Sequence, residues 1–424
     1  MATALAPGYA ATVLWQGTAT APSVPPSDMA ATADVVVVGG GYCGLSAATA
    51  LADAGRDALV VDAHDLGWGA STRNGGMVLP ELKAGPRALE RRHGELGLRL
   101  HQEVEDAFDH VEALVAGGLD CAYERTGQLY LTHSAAGVGH LRTLGDELAS
   151  VGSPAHVVEG DALAAEIGSS SFAGGLVVER SGGLHPARFH AGLLQRAIDA
   201  GVALHAETPA TAIERDGSGW RVTTPRGTVR AGEVLLATNA YADRLRPDLQ
   251  RRVLPMGSFI IATEPLEPAV AAEVLPTRRM CFNDRNLLWY WRLDDAGRMV
   301  FGGRKRLGRI DLDEARDFLY ASMVEVHPQL AGVAIERAWG GNVALTVDRL
   351  PHCGRLDGLW YATGCNGSGV ALNTWLGHRL AGAILGGPLP AFAELSHRPI
   401  PLHRLRRAWL PLVSAWFRFQ DRRS

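Results

Sequence analysis

Ala33-Asp34-Val35-Val36-Val37-Val38-Gly39-Gly40-Gly41-Tyr42-Cys43-Gly44 is the stretch whose reading decides the fold. Four consecutive β-branched residues predict a strand buried on both faces, as in a parallel sheet. Leu45 to Ala54 is Ala-rich and stops at Gly55, which predicts a helix, and Ala58-Leu59-Val60-Val61 predicts a second buried strand. Together they make a βαβ unit. In that setting Gly39 permits the tight turn, Gly41 lets the main chain approach a pyrophosphate, and Gly44 lets helix and strand pack closely. The helix N-terminus faces the anion. Asp62 ends the second strand 18 residues after Gly44 (62 − 44 = 18), where a carboxylate accepts hydrogen bonds from ribose hydroxyls. With Asp65 nearby and no Arg between them, a phosphorylated ribose is disfavoured, leaving FAD or NAD.

A second glycine-rich turn, Gly364-Cys365-Asn366-Gly367-Ser368-Gly369, lies between the predicted strand Leu359 to Ala362 and an apolar helix from Val370 to Leu385. An NAD enzyme needs no such element. A second helix N-terminus suits FAD, because its positive end can face the anionic pyrimidine edge of a reduced flavin.

The 424 residues exceed what a single core usually supports, so two intertwined domains are expected. With 47% apolar residues, 20% charged residues and a formal charge of −4, the composition gives no cationic field for nucleic acid. Five cysteines without CxxC spacing suggest neither a disulfide framework nor a metal site. There is no apolar run long enough for a membrane span and no basic start to Met1–Ser27 of the kind a signal peptide has, so a cytoplasmic protein is expected.

Residues 1–32, rich in Pro, read as an extended arm over the surface, pinned by Tyr9 and Trp15. Leu89 to Ala116 carries apolar residues at helical spacing. Alternating runs at Gln128–Thr132, Gly175–Glu179, Phe259–Thr263, Leu287–Trp291 and Met299–Gly302 predict an antiparallel second sheet, with Asp294 to Gly297 closing a hairpin. The predicted fold is α/β: a discontinuous Rossmann-type FAD-binding domain (33–115, 186–250 and 335–424) with an inserted antiparallel-sheet substrate domain (116–185 and 251–334). The stretch from Leu402 to Arg423 combines Trp409, Trp416 and Phe417 with several Arg, and Pro411 is expected to interrupt it. A segment docked on its own protein is preferred there to a membrane-surface helix.

From about Ala33 to Gly386 the chain resembles the D-amino-acid oxidase superfamily of flavoproteins. The likeness is carried by Gly67-Trp68-Gly69-Ala70-Ser71-Thr72-Arg73-Asn74-Gly75-Gly76, His185-Pro186-Ala187-Arg188, Ala237 to Tyr241, Ala262 to Leu266, Trp339-Gly340-Gly341 and Thr346 to Pro351. The version with Arg73-Asn74-Gly75-Gly76 and Trp339-Gly340-Gly341 looks most like the γ-glutamylputrescine oxidase branch. The glycine turns and this resemblance together place FAD against Gly39, Gly41, Tyr42, Cys43 and Gly44, and against Asp62 and Ala63. Further contacts are expected at Gly69, Ala70, Ser71, Arg73, Asn74, Gly75 and Ala210, and at Gly364, Asn366, Gly367, Ser368, Gly369 and Val370. Related sarcosine oxidases attach flavin through a cysteine outside these loops, so Cys43 and Cys365 are read as buried thiols.

The resemblance implies oxidation of a small amine or amino acid: hydride passes from the carbon next to nitrogen to flavin N5, and the imine hydrolyses to an aldehyde or keto product. Oxygen as acceptor would give hydrogen peroxide. A dehydrogenase passing electrons to a quinone or carrier protein, and a non-catalytic flavin protein, are the alternatives. No nucleophile is required of the protein. Tyr290 aligns with a substrate-contacting tyrosine, while Trp289 and Trp291, on the other face of the strand, are an aromatic wall for a cationic amine or ordinary core. Glycine and D-amino-acid oxidases hold the substrate carboxylate with an Arg where this chain has Val343, which speaks against an α-amino acid. Arg304 and Lys305 are the remaining candidates to meet a carboxylate, or are solvated loop charges.

Overall fold

The computed structural model describes residues 3–242, 245–308 and 310–421, so the first two residues of the expected arm and the last two of the Leu402–Arg423 stretch lie outside the described residues. Two sheets organise the chain. The first runs, in spatial order, Ala212–Asp216, Gly219–Thr224, Gly227–Leu236, Thr32–Val38, Ala58–Val61 and Ala203–His205. Leu359–Thr363 pairs in parallel with the far end of Gly227–Leu236, and His352–Leu356 adds to it. Thr32–Val38 lies parallel to both of its neighbours.

The alternation of a strand explains why four valines in a row are needed at its centre. Val35 and Val37 enter the core under the helices, Val36 and Val38 enter the core on the opposite face, and all four are buried. Burying each is worth up to roughly 1.5 to 3 kcal/mol, so neither face tolerates a polar residue here. The helices Tyr42–Asp53, Glu95–Ala116, Pro186–Asp199 and Gly369–Ile384 cover the first face.

The second sheet has nine strands in the order Leu5–Ala10, Ile335–Leu345, Leu254–Pro265, Arg298–Gly303, Trp289–Leu293, Met280–Asn283, Gln128–Thr132, Gly174–Val178 and Ala155–Val158. It is mostly antiparallel; the first pair and Met280–Asn283 with Gln128–Thr132 are parallel. Its hairpin closes as the sequence predicts, with Gly297 at φ 78° and the Asp294 carboxylate accepting the Ala296 and Arg298 amides.

Four features differ from the sequence reading. Leu5–Ala10 is not a loose arm but the edge strand of the nine-stranded sheet, paired with Ile335–Leu345. That partner, inside the segment 335–424 expected in the nucleotide-binding domain, belongs by its hydrogen bonds to the second sheet, whereas Leu359–Thr363 joins the first. The helix expected over 89–116 breaks at Gly94, whose φ of 60° ends Pro86–His93 and begins Glu95–Ala116. Finally, Pro411 does not interrupt the C-terminal helix, which runs Arg406–Asp421; the residue sits on its exposed side.

Candidate active site

Both glycine turns open onto one cavity of about 620 Å³, lined by Gly39 and Gly41 from the first and by Gly367 and Gly369 from the second. The helices behind them, Tyr42–Asp53 and Gly369–Ile384, begin at Gly41 and Ser368 with no side-chain cap. Apart from the Tyr42 amide, which Ser71 Oγ accepts, their leading amides are left for an outside acceptor. The glycine cradle is sterically committed: a Cβ on Gly41 would stand 2.7 Å from Ser71 Oγ, and one on Gly44 would fall 1.8 Å from the Gly39 carbonyl oxygen. Behind the loop, His190 Nε2 donates to the Gly40 carbonyl at 2.8 Å. Burial lowers the pKa of this imidazole, with the Gly40 hydrogen bond acting against it, so the ring donates as the neutral Nε2–H tautomer.

Tyr42, Cys43, Asp62, Ala63, Gly69, Ala70, Ser71, Asn74, Ala210 and Val370 also line this cavity, as the sequence reading expects of cofactor neighbours. Asp62 accepts the Gly40 amide at 2.7 Å and the His64 amide at 3.0 Å, leaving further lone pairs for ribose hydroxyls. Its pKa is raised by burial, against which these amides act. Ser71 Oγ accepts the Tyr42 amide at 3.0 Å. Asn74 organises its own segment, donating to the carbonyls of Ala70 and Ser71 and accepting the Gly76 amide.

Other expected contacts fall elsewhere. Gly44 and Gly364 do not line the cavity. Gly44 lies beneath Gly39, and Gly364, at φ 80°, turns the chain against Thr346. Arg73, Gly75, Asn366 and Ser368 line a second, smaller cavity instead. Arg73 is spent on the Trp68 and Gly340 carbonyls, and Asn366 on the Thr346 amide. Cys43 is buried, its thiol pushed up to about 12 by desolvation, but Cys365 is half-buried and lines the large cavity, contrary to the reading of two buried thiols.

The smaller cavity, about 130 Å³, shares Ala70, Asn74, Asn342, Val343, Gly367 and Val370 with the large one. Tyr290 and Arg304 face it. The Tyr290 ring fits between glycines: a Cβ on Gly302 would lie 2.3 Å from it and one on Gly75 3.0 Å. Its hydroxyl is 3.1 Å from Ser258 Oγ, and burial raises its pKa, so the phenol is neutral. Arg304 has no carboxylate partner among the described residues, and its Nε is buried without an acceptor. Enclosure lowers the pKa of its guanidinium, with Tyr290 and Cys365 as the nearest counterweights.

The two tryptophans are no aromatic wall. Trp289 and Trp291 point to the opposite face, into the core with Phe301, Phe318 and Phe172. Lys305 is also outside the pocket, paired with Glu314 at 2.9 Å. Sequence reasoning missed Trp68, Asn342 and Asn373 in the large cavity, and Ser258 in the small one. The only signal for them is that Trp68 stands among the glycines of the Gly67–Gly76 segment.

Two helix N-termini without side-chain caps and a partly buried acid around one cavity, with an adjoining pocket on a second sheet, are the parts a dinucleotide-dependent oxidoreductase requires. Residues 34–383 match the DAO family, described as FAD dependent oxidoreductase, and the chain belongs to that family. It is 32% identical to the gamma-glutamylputrescine oxidoreductase of Escherichia coli (strain K12), over 92% of this chain and 93% of that protein. It is 31% identical to the probable oxidoreductase OrdL of Rhizobium meliloti (strain 1021), over 92% of each. The structure of glycine oxidase from Geobacillus kaustophilus superposes with a TM-score of 0.76 at 20% identity, covering 87% of this chain and all of that one. FAD is the cofactor, and the chemistry of the large cavity fits it: helix N-termini able to donate to a pyrophosphate, and a carboxylate able to accept from ribose hydroxyls.

Proposed function

We propose that the protein oxidises the C–N bond of a small amine that carries a carboxylate away from the reacting carbon. The observation that carries this is Arg304: a guanidinium without a carboxylate partner among the described residues, facing a small cavity that adjoins the large one. A half-buried guanidinium whose Nε is enclosed without an acceptor carries a desolvation cost, so the site is suited to an anion that the ligand brings. Val343 stands where α-amino-acid oxidases of the superfamily place their arginine, which moves the carboxylate away from that subsite. Similarity to a γ-glutamylputrescine oxidoreductase supports the same class, since a γ-glutamyl amine bears its carboxylate far from the terminal amine.

FAD held in the large cavity would supply the hydride acceptor, its reoxidation by dioxygen would give hydrogen peroxide, and the imine released would hydrolyse to an aldehyde or keto product. The chain's own contribution is orientation. Arg304 anchors one end of the substrate, and Tyr290, held neutral and hydrogen-bonded to Ser258, offers a polar contact along its length. The apolar residues Met77, Leu79, Ile260, Phe282 and Leu288, beside the Lys83–Glu81 ion pair, lower the polarity around the amine and favour its uncharged form.

The test is a peroxide assay over γ-glutamyl amines, polyamines, N-methyl amines and D-amino acids, with wild type and Arg304→Met. Carboxylate-bearing amines are expected to be the substrates. Their KM should rise roughly 10- to 100-fold in the variant, the value of a charge-assisted hydrogen bond, with little change for amines lacking a carboxylate. Activity confined to D-amino acids, or a variant with unaltered KM, defeats the proposal. Flavin reduction by amines without peroxide formation assigns a different electron acceptor.

A further inference from the structure

The C-terminal helix Arg406–Asp421 has two apolar faces, and only one is used. Leu410, Trp409, Val413 and Phe417 pack against Leu287 and Leu307. Ser414 Oγ accepts the Leu307 amide at 3.1 Å, and the Asp421 carboxylate accepts the amides of Asn286 and Leu287. Those loops run directly into Leu288 and Arg304, so the helix braces the outer side of the small cavity.

On the other face Leu412 is 72% exposed and Trp416 56%, with Leu405, just before the helix, at 58%. Leu412 and Trp416 are one turn apart, and Ala408 and Ala415 extend the same side. Large apolar side chains clustered on solvent mark a binding surface. Charge indicates which kind. From Leu395 to Gln420 the sequence contains no Asp or Glu but five arginines, Arg398, Arg404, Arg406, Arg407 and Arg418. Arg404, Arg407 and Arg418 are exposed and form no ion pair among the described residues. In a chain whose formal charge is −4 this is a locally cationic surface. Apolar residues rimmed by unpaired arginines, with a tryptophan among them, form the pattern of a helix lying in a bilayer interface. No helix among the described residues is long and apolar enough to cross a membrane.

We propose that this face docks on an anionic phospholipid surface, with the helix in the plane of the interface and the amine pocket held beside it. The inference is independent of the substrate assigned above. It is tested by co-sedimenting the FAD-loaded full-length protein with vesicles of phosphatidylglycerol and phosphatidylcholine, or of phosphatidylcholine alone. Binding to the anionic vesicles should be at least about tenfold stronger and should weaken as salt is raised. The double variant Leu412→Gln/Trp416→Gln should lose it while keeping its flavin absorbance and peroxide activity. Absence of binding, equal binding to both vesicle types, or equal binding by the variant overturns the proposal. So does a dimer in sedimentation velocity that the same variant dissociates, which would assign the face to a second copy of the chain.

Discussion

Trp15 and Trp339 stand edge to face, ring centroids 6.0 Å apart, and donate their indole N–H groups to successive carbonyls of the cofactor segment, Asn74 at 2.8 Å and Arg73 at 2.9 Å. The short helix Leu14–Gly17 and the strand Ile335–Leu345 of the nine-stranded sheet thereby grip one dipeptide of the Gly67–Gly76 segment from outside. Trp15 is buried, so Trp15→Ala should destabilise the fold by about 3 to 5 kcal/mol through its cavity alone. Because the cavity opens behind Asn74, flavin retention should fall with it. Trp15→Phe, which keeps most of the packing and loses the hydrogen bond, should cost only about 1 kcal/mol. Thermal unfolding followed by released-flavin fluorescence separates the two; equal effects would mean the hydrogen bond carries the whole contribution.

Gly377 sets the separation of the two cofactor helices. A Cβ there would lie 2.1 Å from the Cys43 carbonyl oxygen, a main-chain atom that cannot rotate aside. Gly377→Ala must therefore push Gly369–Ile384 away from Tyr42–Asp53, at about 1 to 3 kcal/mol for overpacking. If both helix N-termini hold FAD, as the shared cavity indicates, its binding should weaken at least about tenfold. Gly382→Ala on the same helix has nothing within 4 Å and should be neutral or slightly stabilising, because alanine lowers the entropy of the unfolded chain. Apoprotein titration with FAD measures both.

The sequence makes the nucleotide-binding half legible because each of its signals is local. A doubly buried strand, a glycine turn and an uncapped helix follow one another within Val35 to Asp53, and Asp62 comes a few residues later. The substrate half is less legible because its decisions are not local. Period-two alternation separates Tyr290 from Trp289 and Trp291 but does not say which side meets the cofactor. That is decided by Gly75 and Gly302, distant in sequence, which leave room for one ring. Arg304 and Lys305 are adjacent and alike in type, yet one faces the pocket and the other pairs with Glu314, a helix residue whose place the sequence does not reveal. The pairing of Leu5–Ala10 with Ile335–Leu345 joins residues some three hundred positions apart and leaves no local trace.

Several buried imidazoles make the protein sensitive to acid. His185 caps the helix Pro186–Asp199 by accepting the Arg188 amide at 3.2 Å, and its pKa is lowered to about 4 by burial and then by Arg188. Burial likewise lowers His327 and His110 to about 4, and His397, beside His352 and Arg252, to about 3. In the unfolded chain these groups take up protons near pH 6.5. Between that value and about pH 4 the unfolded state binds more protons than the folded one, so stability falls as pH is lowered through this window and is flat with respect to these groups above it. The Tm should decline steadily below about pH 6.5. His185→Asn, which keeps a capping acceptor but does not titrate, should lessen the decline. A Tm unchanged down to pH 5 would contradict the assignment.

Tyr290 tests whether the small cavity is where substrate sits. Its hydroxyl and Ser258 Oγ are 3.1 Å apart, and its ring is confined by Gly302 and Gly75. Tyr290→Phe preserves the ring and removes one polar contact, so the fold and the flavin spectrum should be unchanged. If the hydroxyl touches bound substrate, KM should rise by up to about tenfold, the value of one neutral hydrogen bond. If it also orients the reacting carbon, kcat should fall as well, because misplacement by a fraction of an ångström is costly to hydride transfer. Gly302→Ala acts on the same ring by force, since its methyl group would occupy the ring's place. It should therefore impair turnover more than loss of the hydroxyl does, while leaving the large cavity and FAD content intact. Steady-state kinetics with flavin quantified in each variant distinguishes these outcomes, and a Tyr290→Phe enzyme with unaltered KM and kcat would place the substrate elsewhere.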